Sequence, residues 1–224
     1  ETSFGLGFSG NEMIGKFVAG NDFNYVQAHA TSIAASGKYN ISSCSSEVIA
    51  SGRVQMKNYQ AVDLINGLER HDGYTHAFFK SFTPALQNSI RQYASQGGRI
   101  LISGSYTGSD MQTEEEQAFL SDILKLSYEP TGSTAITRDI NPEDSTVTER
   151  DSIVYTSPNV KGLGLQFSYY NELNAHHYAA THPEILKPVG NYAFTAMQYD
   201  TGTSAAVAYK STTYRSFVMG FPLE

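Results

Sequence analysis

Apolar positions in the first part of the chain alternate between short continuous runs and longer stretches at helical spacing. Lys16-Phe-Val-Ala19 is a short apolar run stopped by Gly20-Asn21-Asp22, which predicts a strand and then a turn. From about Phe23 to Ser36, Tyr25, Val26, Ala28, Ile33 and Ala34 recur at roughly helical spacing, and Gly37 can close that helix. Tyr39 to Ser43 reads as a second strand, and Ser45-Ser46-Glu47 opens a short helical turn ending at Gly52. Ala61-Val-Asp-Leu-Ile65 predicts a buried strand broken by Asn66-Gly67, followed by a loop from Glu69 to Phe82. Thr83-Pro84 then starts a helix, with the hydroxyl at the cap and proline in the first turn. Leu86, Ile90, Tyr93 and Ala94 line its apolar face, Gly97-Gly98 end it, and Arg99-Ile-Leu-Ile-Ser103 is the next strand. Thr113 followed by Glu114, Glu115 and Glu116 caps one more helix, with acids against its positive end.

Strand, helix and strand in this order form a right-handed parallel unit. Several in series predict a doubly wound sheet over residues 14–130, with ligands held at the carboxyl ends of its strands. After about Pro130, Ser, Thr, Asn and Gly dominate and no long helix is visible. Ser152 to Tyr155, Leu165 to Tyr169, Ala193 to Tyr199, Ala205 to Tyr209 and Ser216 to Met219 read as short strands, the last two forming a hairpin around Lys210-Ser-Thr-Thr213. Residues 131–224 are therefore expected to be a β-rich part returning to the same sheet, giving one α/β domain over residues 1–224.

Composition narrows the function classes. With 224 residues, 40% hydrophobic and 17% charged, the chain can bury a sizeable core. The net charge of −7 and the lack of any Lys/Arg cluster along the sequence argue against a nucleic-acid partner. No apolar run reaches the length of a membrane span. Cys44 is the single cysteine, which excludes an internal disulfide or a cysteine-based zinc site and is expected to be a small buried filler. Tyr is abundant at 15 residues, and its amphipathic ring suits sugar or protein contact. The start at Glu1 and the apolar ending from Phe217 to Leu223 lead to the expectation that the parent protein is longer.

Several segments resemble a known family. They are Val18-Ala-Gly-Asn-Asp-Phe-Asn-Tyr25 with His29, Ser43-Cys-Ser-Ser-Glu-Val48 with Gly52, and Tyr59-Gln-Ala-Val-Asp-Leu-Ile-Asn-Gly-Leu-Glu69. Gly97-Gly-Arg-Ile-Leu-Ile-Ser-Gly-Ser-Tyr106 and the closing Gly220-Phe-Pro-Leu-Glu224 complete the set. Together they resemble the class I glutamine amidotransferase-like domain of secreted Bacteroidetes proteins labelled xanthan lyases or N-acetylmuramoyl-L-alanine amidases. The resemblance implies a flavodoxin-like three-layer fold with a β-rich C-terminal extension. It also implies a periplasmic, cell-surface or exported setting, neighbouring domains in the same chain, and polysaccharide or cell-wall glycan as partner.

Amidotransferases carry their cysteine on a Gly-x-Cys-x-Gly elbow that lifts the nucleophile towards backbone N–H donors. Here the frame is Gly104-Ser105-Tyr106-Thr107-Gly108, with Tyr106 at the nucleophile position. A phenol with an ordinary pKa near ~10 is a poor substitute for a thiolate. Ser105 or Ser103 is the alternative nucleophile, against a turn merely shaped by Gly104 and Gly108. In Gly220-Phe-Pro-Leu-Glu224, Pro222 stands where the family's histidine base would be. His182-Pro183-Glu184 reads literally as His-x-Glu but lies in a Pro-containing loop between Ala180 and Pro188, and is expected to be surface. His176 and His177 are adjacent and diverge in strand or helix, so no metal site and no cofactor is expected.

Position selects the remaining candidates. Glu69, Arg70, His71 and Asp72 follow one strand, with Tyr74 and His76 in the same loop; Asn21 and Asp22 follow another, and Tyr106 and Asp110 a third. Tyr106, His71, Glu69 and Ser105 are thus the candidate catalytic residues, and Asn21, Asp22, His76 and Asp110 the candidate ligand contacts. Two functions are open. One is a non-catalytic, degenerate amidotransferase-like domain that binds polysaccharide or cell wall. The other is an active lyase or hydrolase, in which His or Tyr removes a proton from a uronate and Tyr protonates the leaving group.

Overall fold

The computed structural model of the chain describes residues 25–70, 80–132, 134–140, 147–172 and 179–223. The described residues open with α1 (Tyr25–Ala35) and the short α2 (Ser46–Ala50), closed by Gly37 and Gly52 respectively, both at positive φ. Residues 39–45 are irregular, so Tyr39 to Ser43 is not a strand, and Cys44 is exposed instead of buried. Tyr39 and Ile41 alternate with polar residues as a strand would, but both side chains are exposed.

β1 (Val62–Gly67) runs through Asn66-Gly67 instead of stopping there, with a register shift between Ile65 and Gly67. Helix α3 (Pro84–Ser95) follows, and the Thr83 hydroxyl accepts from the N–H of Leu86. It leads into β2 (Arg99–Gly104), parallel to β1. In α4 (Glu114–Phe119) Thr113 and Glu116 close a reciprocal capping box. Thr113→Ala removes one arm of that box and is expected to cost about 1 kcal/mol, read as a lower denaturation midpoint with unchanged slope. A π-helical turn over Leu120–Leu124 then leads to β3 (Leu126–Glu129).

Among the described residues the regular elements of the second half are all strands: β4 (Thr134–Ile140), β5 (Val147–Ile153), β6 (Asn159–Gly162), β7 (Leu165–Ser168), β8 (Ile185–Pro188), β9 (Ala193–Tyr199), β10 (Ser204–Lys210) and β11 (Arg215–Met219). Among the described residues the main sheet has seven strands in the order β1-β2-β11-β10-β9-β6-β7. Among the described residues β1, β2 and β11 are mutually parallel, and the others add on antiparallel. The chain is thus an α/β protein with a mixed sheet. The parallel portion is completed by β11 from the far end of the chain, and not by strands of residues 14–130 alone. The strand Lys16 to Ala19 lies outside the described residues. β3 pairs with β8, and β4 with β5, in two further small sheets.

Apolar residues cover both faces of the main sheet. On one face Leu64, Ile100, Ile102, Val218 and Val207 pack against Leu86, Ile90 and Tyr93 of α3 and against Phe119, Leu120 and Leu124. On the other, Met219, Ala206, Met197, Tyr199 and Phe221 form a second core, to which Tyr169 adds by stacking on Phe221 at 5.0 Å. This layering places the ends of β1, β2 and β11 side by side. Among the described residues no helix is long and apolar enough to cross a membrane.

Candidate functional site at the carboxyl ends of the parallel strands

The Gly104–Gly108 frame is a tight turn at the end of β2, and its neighbours hold it on both sides. Gly104 donates its N–H to the carbonyl of Phe221 (3.1 Å), and Ser105 donates to that of Gly67 (2.8 Å). A Cβ on Gly104 would lie 2.7 Å from Cβ of Asn66, so glycine is what lets β1 and β2 end this close together. Gly220-Phe221-Pro222 therefore leaves β11 directly beside the elbow.

Glu184 closes the arrangement from across the chain. Its carboxylate accepts from the N–H groups of Gly108 (2.6 Å) and Ser109 (2.9 Å). Its own N–H donates to the carbonyl of Gly220 (2.6 Å), and its carbonyl accepts from the Tyr199 hydroxyl (2.8 Å). Burial pushes the Glu184 carboxyl up to about 7, with Asp110 adding to that; the Ser109 and Gly108 bonds hold it back. His182-Pro183-Glu184 is thus not a plain surface loop. Glu184 is buried and clamps the elbow, while His182 reaches the Tyr106 ring from an exposed position.

Tyr106 lies between two such side chains. The Arg70 guanidinium sits 4.7 Å from its ring centroid, and the His182 ring 5.1 Å away, tilted by 32°. Burial raises the Tyr106 phenol pKa, Arg70 opposing and Glu184 adding, so the phenol is a weaker acid than usual and stays neutral. Burial, then Arg70, depresses the His182 imidazole and keeps it neutral. The Tyr106 ring is itself buried, so the cluster presents outward the exposed His182 ring and Arg70 guanidinium, which offer a flat face and hydrogen-bond donors and no activated nucleophile.

Ser81 gathers the rest of the crevice. Its hydroxyl donates to the carbonyls of Glu69 (2.9 Å) and Tyr106 (3.1 Å), and its N–H donates to Asp110 (2.9 Å). Ser81 thus joins the main chain of Glu69 and Tyr106 to the Asp110 carboxylate. Ser105 and Ser103 are wholly buried, and among the described residues their hydroxyls meet no partner, which does not suit a nucleophile that must meet substrate and base. His71, His76, Asn21, Asp22 and the His176-His177 pair lie outside the described residues. Among the described residues no three His, Cys, Asp or Glu side chains converge as a metal site would require.

No protein-family model matches the chain, and no curated protein matches it. Function must therefore be argued from the crevice itself. Ser81 has no signal in the sequence, and Glu184 shows there only as part of His182-Pro183-Glu184, with nothing to mark it as the buried partner of the turn. Glu184 binds backbone N–H groups, which any residue could supply, and Ser81 acts through carbonyls.

Proposed function

We propose that the chain is a non-catalytic, amidotransferase-like domain that contacts polysaccharide or cell-wall glycan at the Arg70–Tyr106–His182 face. In this reading it belongs to a secreted or surface-attached bacterial protein, on a flavodoxin-like frame whose chemistry has been replaced. The observation that carries the proposal is the Glu184 carboxylate on the N–H groups of Gly108 and Ser109. Acyl transfer needs backbone donors at the elbow free to receive a developing oxyanion. Here an internal carboxyl already takes up the N–H groups of Gly108 and Ser109, which follow the nucleophile position by two and three residues, and once ionised it would repel a further negative charge built up beside it.

The exposed His182 ring and Arg70 guanidinium, both resting on the buried Tyr106, support binding instead. Aromatic faces flanked by planar donors are a common way to hold sugar rings, whose C–H faces are apolar and whose hydroxyls need partners. Exposed Tyr155 and Tyr170 are in keeping with such a surface. The test is a binding screen of the purified chain against soluble polysaccharides and peptidoglycan fragments. Tyr106→Ala is expected to weaken the best ligand about tenfold, the effect of losing ~1.4 kcal/mol of ring contact. A ligand bound equally by wild type and Tyr106→Ala would place the contact elsewhere.

A further inference from the structure

The opposite end of the same strands carries a second constellation. Arg99 is the register partner of Arg215, and Arg215 of Lys210, so three cations stand side by side across β2, β11 and β10. Neighbouring strands are about 4.8 Å apart, which puts the three within roughly 10 Å along one row. Like charges directly opposite each other destabilise a sheet. Among the described residues no acid forms an ion pair with any of the three. The row costs stability in the free protein and becomes favourable once an anion lies along it.

The next row on the same face is apolar. Leu101, Phe217, Ala208 and Phe194 are successive register partners, two residues further along each strand than the cations. Asp63 ends that row, and it is turned to His29 at 2.7 Å. Both rows line a groove of about 340 Å³, which Leu163 closes as a wall. Leu163 and Gly164 form the two-residue loop between β6 and β7, both at positive φ (52° and 76°). Such loops favour Asn-Gly, because a side chain like leucine at positive φ costs about 1 kcal/mol. A leucine kept there at 64% exposure, facing a groove, is explained by contact with something that fills it.

We propose that this groove binds a small amphiphilic carboxylate, its apolar body on Leu101, Phe217 and Leu163 and its carboxylate on the Arg99–Arg215–Lys210 row. The volume suits a small ligand. The apolar floor row offers a sugar's hydroxyls no side-chain hydrogen-bond partner, so a glycan would lose water there without replacement. An extended peptide finds no free ladder, because β2, β11 and β10 are each paired on both sides. This site is independent of the elbow crevice.

Calorimetric titration of the chain with decanoate, decanol and decylammonium tests it. Decanoate is expected to bind at least about tenfold more tightly than either of the others, since charge-assisted bonds to arginine reach that size. Arg99→Gln with Arg215→Gln should bring decanoate to the level of decanol, while leaving the free protein at least as stable. Leu163→Asn should weaken decanoate and decanol together without lowering the melting temperature. Equal binding of all three compounds, undiminished decanoate binding by the double variant, or a Leu163→Asn protein that binds as wild type would each overturn the proposal. So would displacement of decanoate by an alternating Glu-Leu peptide at lower concentration.

Discussion

Glu184→Ala is expected to lower stability by about 3 kcal/mol at pH 5, through two lost carboxyl bonds, stranded N–H groups and a small cavity. The deficit should shrink as pH rises. The folded carboxyl is held up at about 7 against an ordinary 4.5. Between those values the unfolded chain has released the proton while the folded chain keeps it, so wild-type stability falls as pH rises through that window. Above it the slope vanishes. The whole effect amounts to about 3 kcal/mol. Glu184→Gln keeps the volume and cannot titrate, so the difference between wild type and this variant isolates Glu184. His182, whose depressed pKa makes stability rise with pH below its ordinary value, contributes the opposite slope. Burial and Arg70 set that depression, not Glu184, so it cancels in the comparison. Urea melts of both proteins from pH 5 to pH 8 read this directly. Parallel profiles would mean that the carboxylate is not desolvated as the geometry requires.

Gly220→Ala is the second large effect. A Cβ there would stand 2.4 Å from the carbonyl oxygen of Glu184 and 3.1 Å from its carbon. Neither side can yield cheaply. That carbonyl holds the Tyr199 hydroxyl, and the Glu184 N–H holds the Gly220 carbonyl. The methyl group would push apart the two segments that carry the clamp, at an expected cost of about 3 kcal/mol or more. Gly37→Ala is the control: its φ of 65° makes alanine strained, but nothing lies within 4 Å, and about 1 kcal/mol is expected. Denaturant midpoints separate the two. Losses of similar size would show that the close approach at Gly220 relaxes without consequence.

What the sequence discloses and what it hides follow from range. Thr83-Pro84 and Thr113 with Glu116 specify helix starts through contacts three residues apart, and both form as read. The hairpin of β10 and β11 is equally local. The Gly104–Gly108 frame shows the elbow by spacing alone. Its occupant is another matter. Glu184 meets Gly108 and Ser109 some 75 residues away through main-chain donors, which leave no trace in side-chain identity. β8 was hidden by its brevity and its closing Pro188, and exists because β3 pairs with it. Tyr39 to Ser43 has the residues of a strand and forms none. The cationic row is the plainest case: no Lys/Arg cluster exists along the chain, yet three strands bring Arg99, Lys210 and Arg215 into register.

The central claim is that the elbow crevice binds and does not react. Prolonged incubation of the purified chain with a panel of polysaccharides and peptidoglycan tests it most directly. The account predicts no new reducing ends, no unsaturated uronate absorbance and no released peptide, from wild type and Tyr106→Phe alike. Turnover by the wild type that disappears in Tyr106→Phe would contradict it.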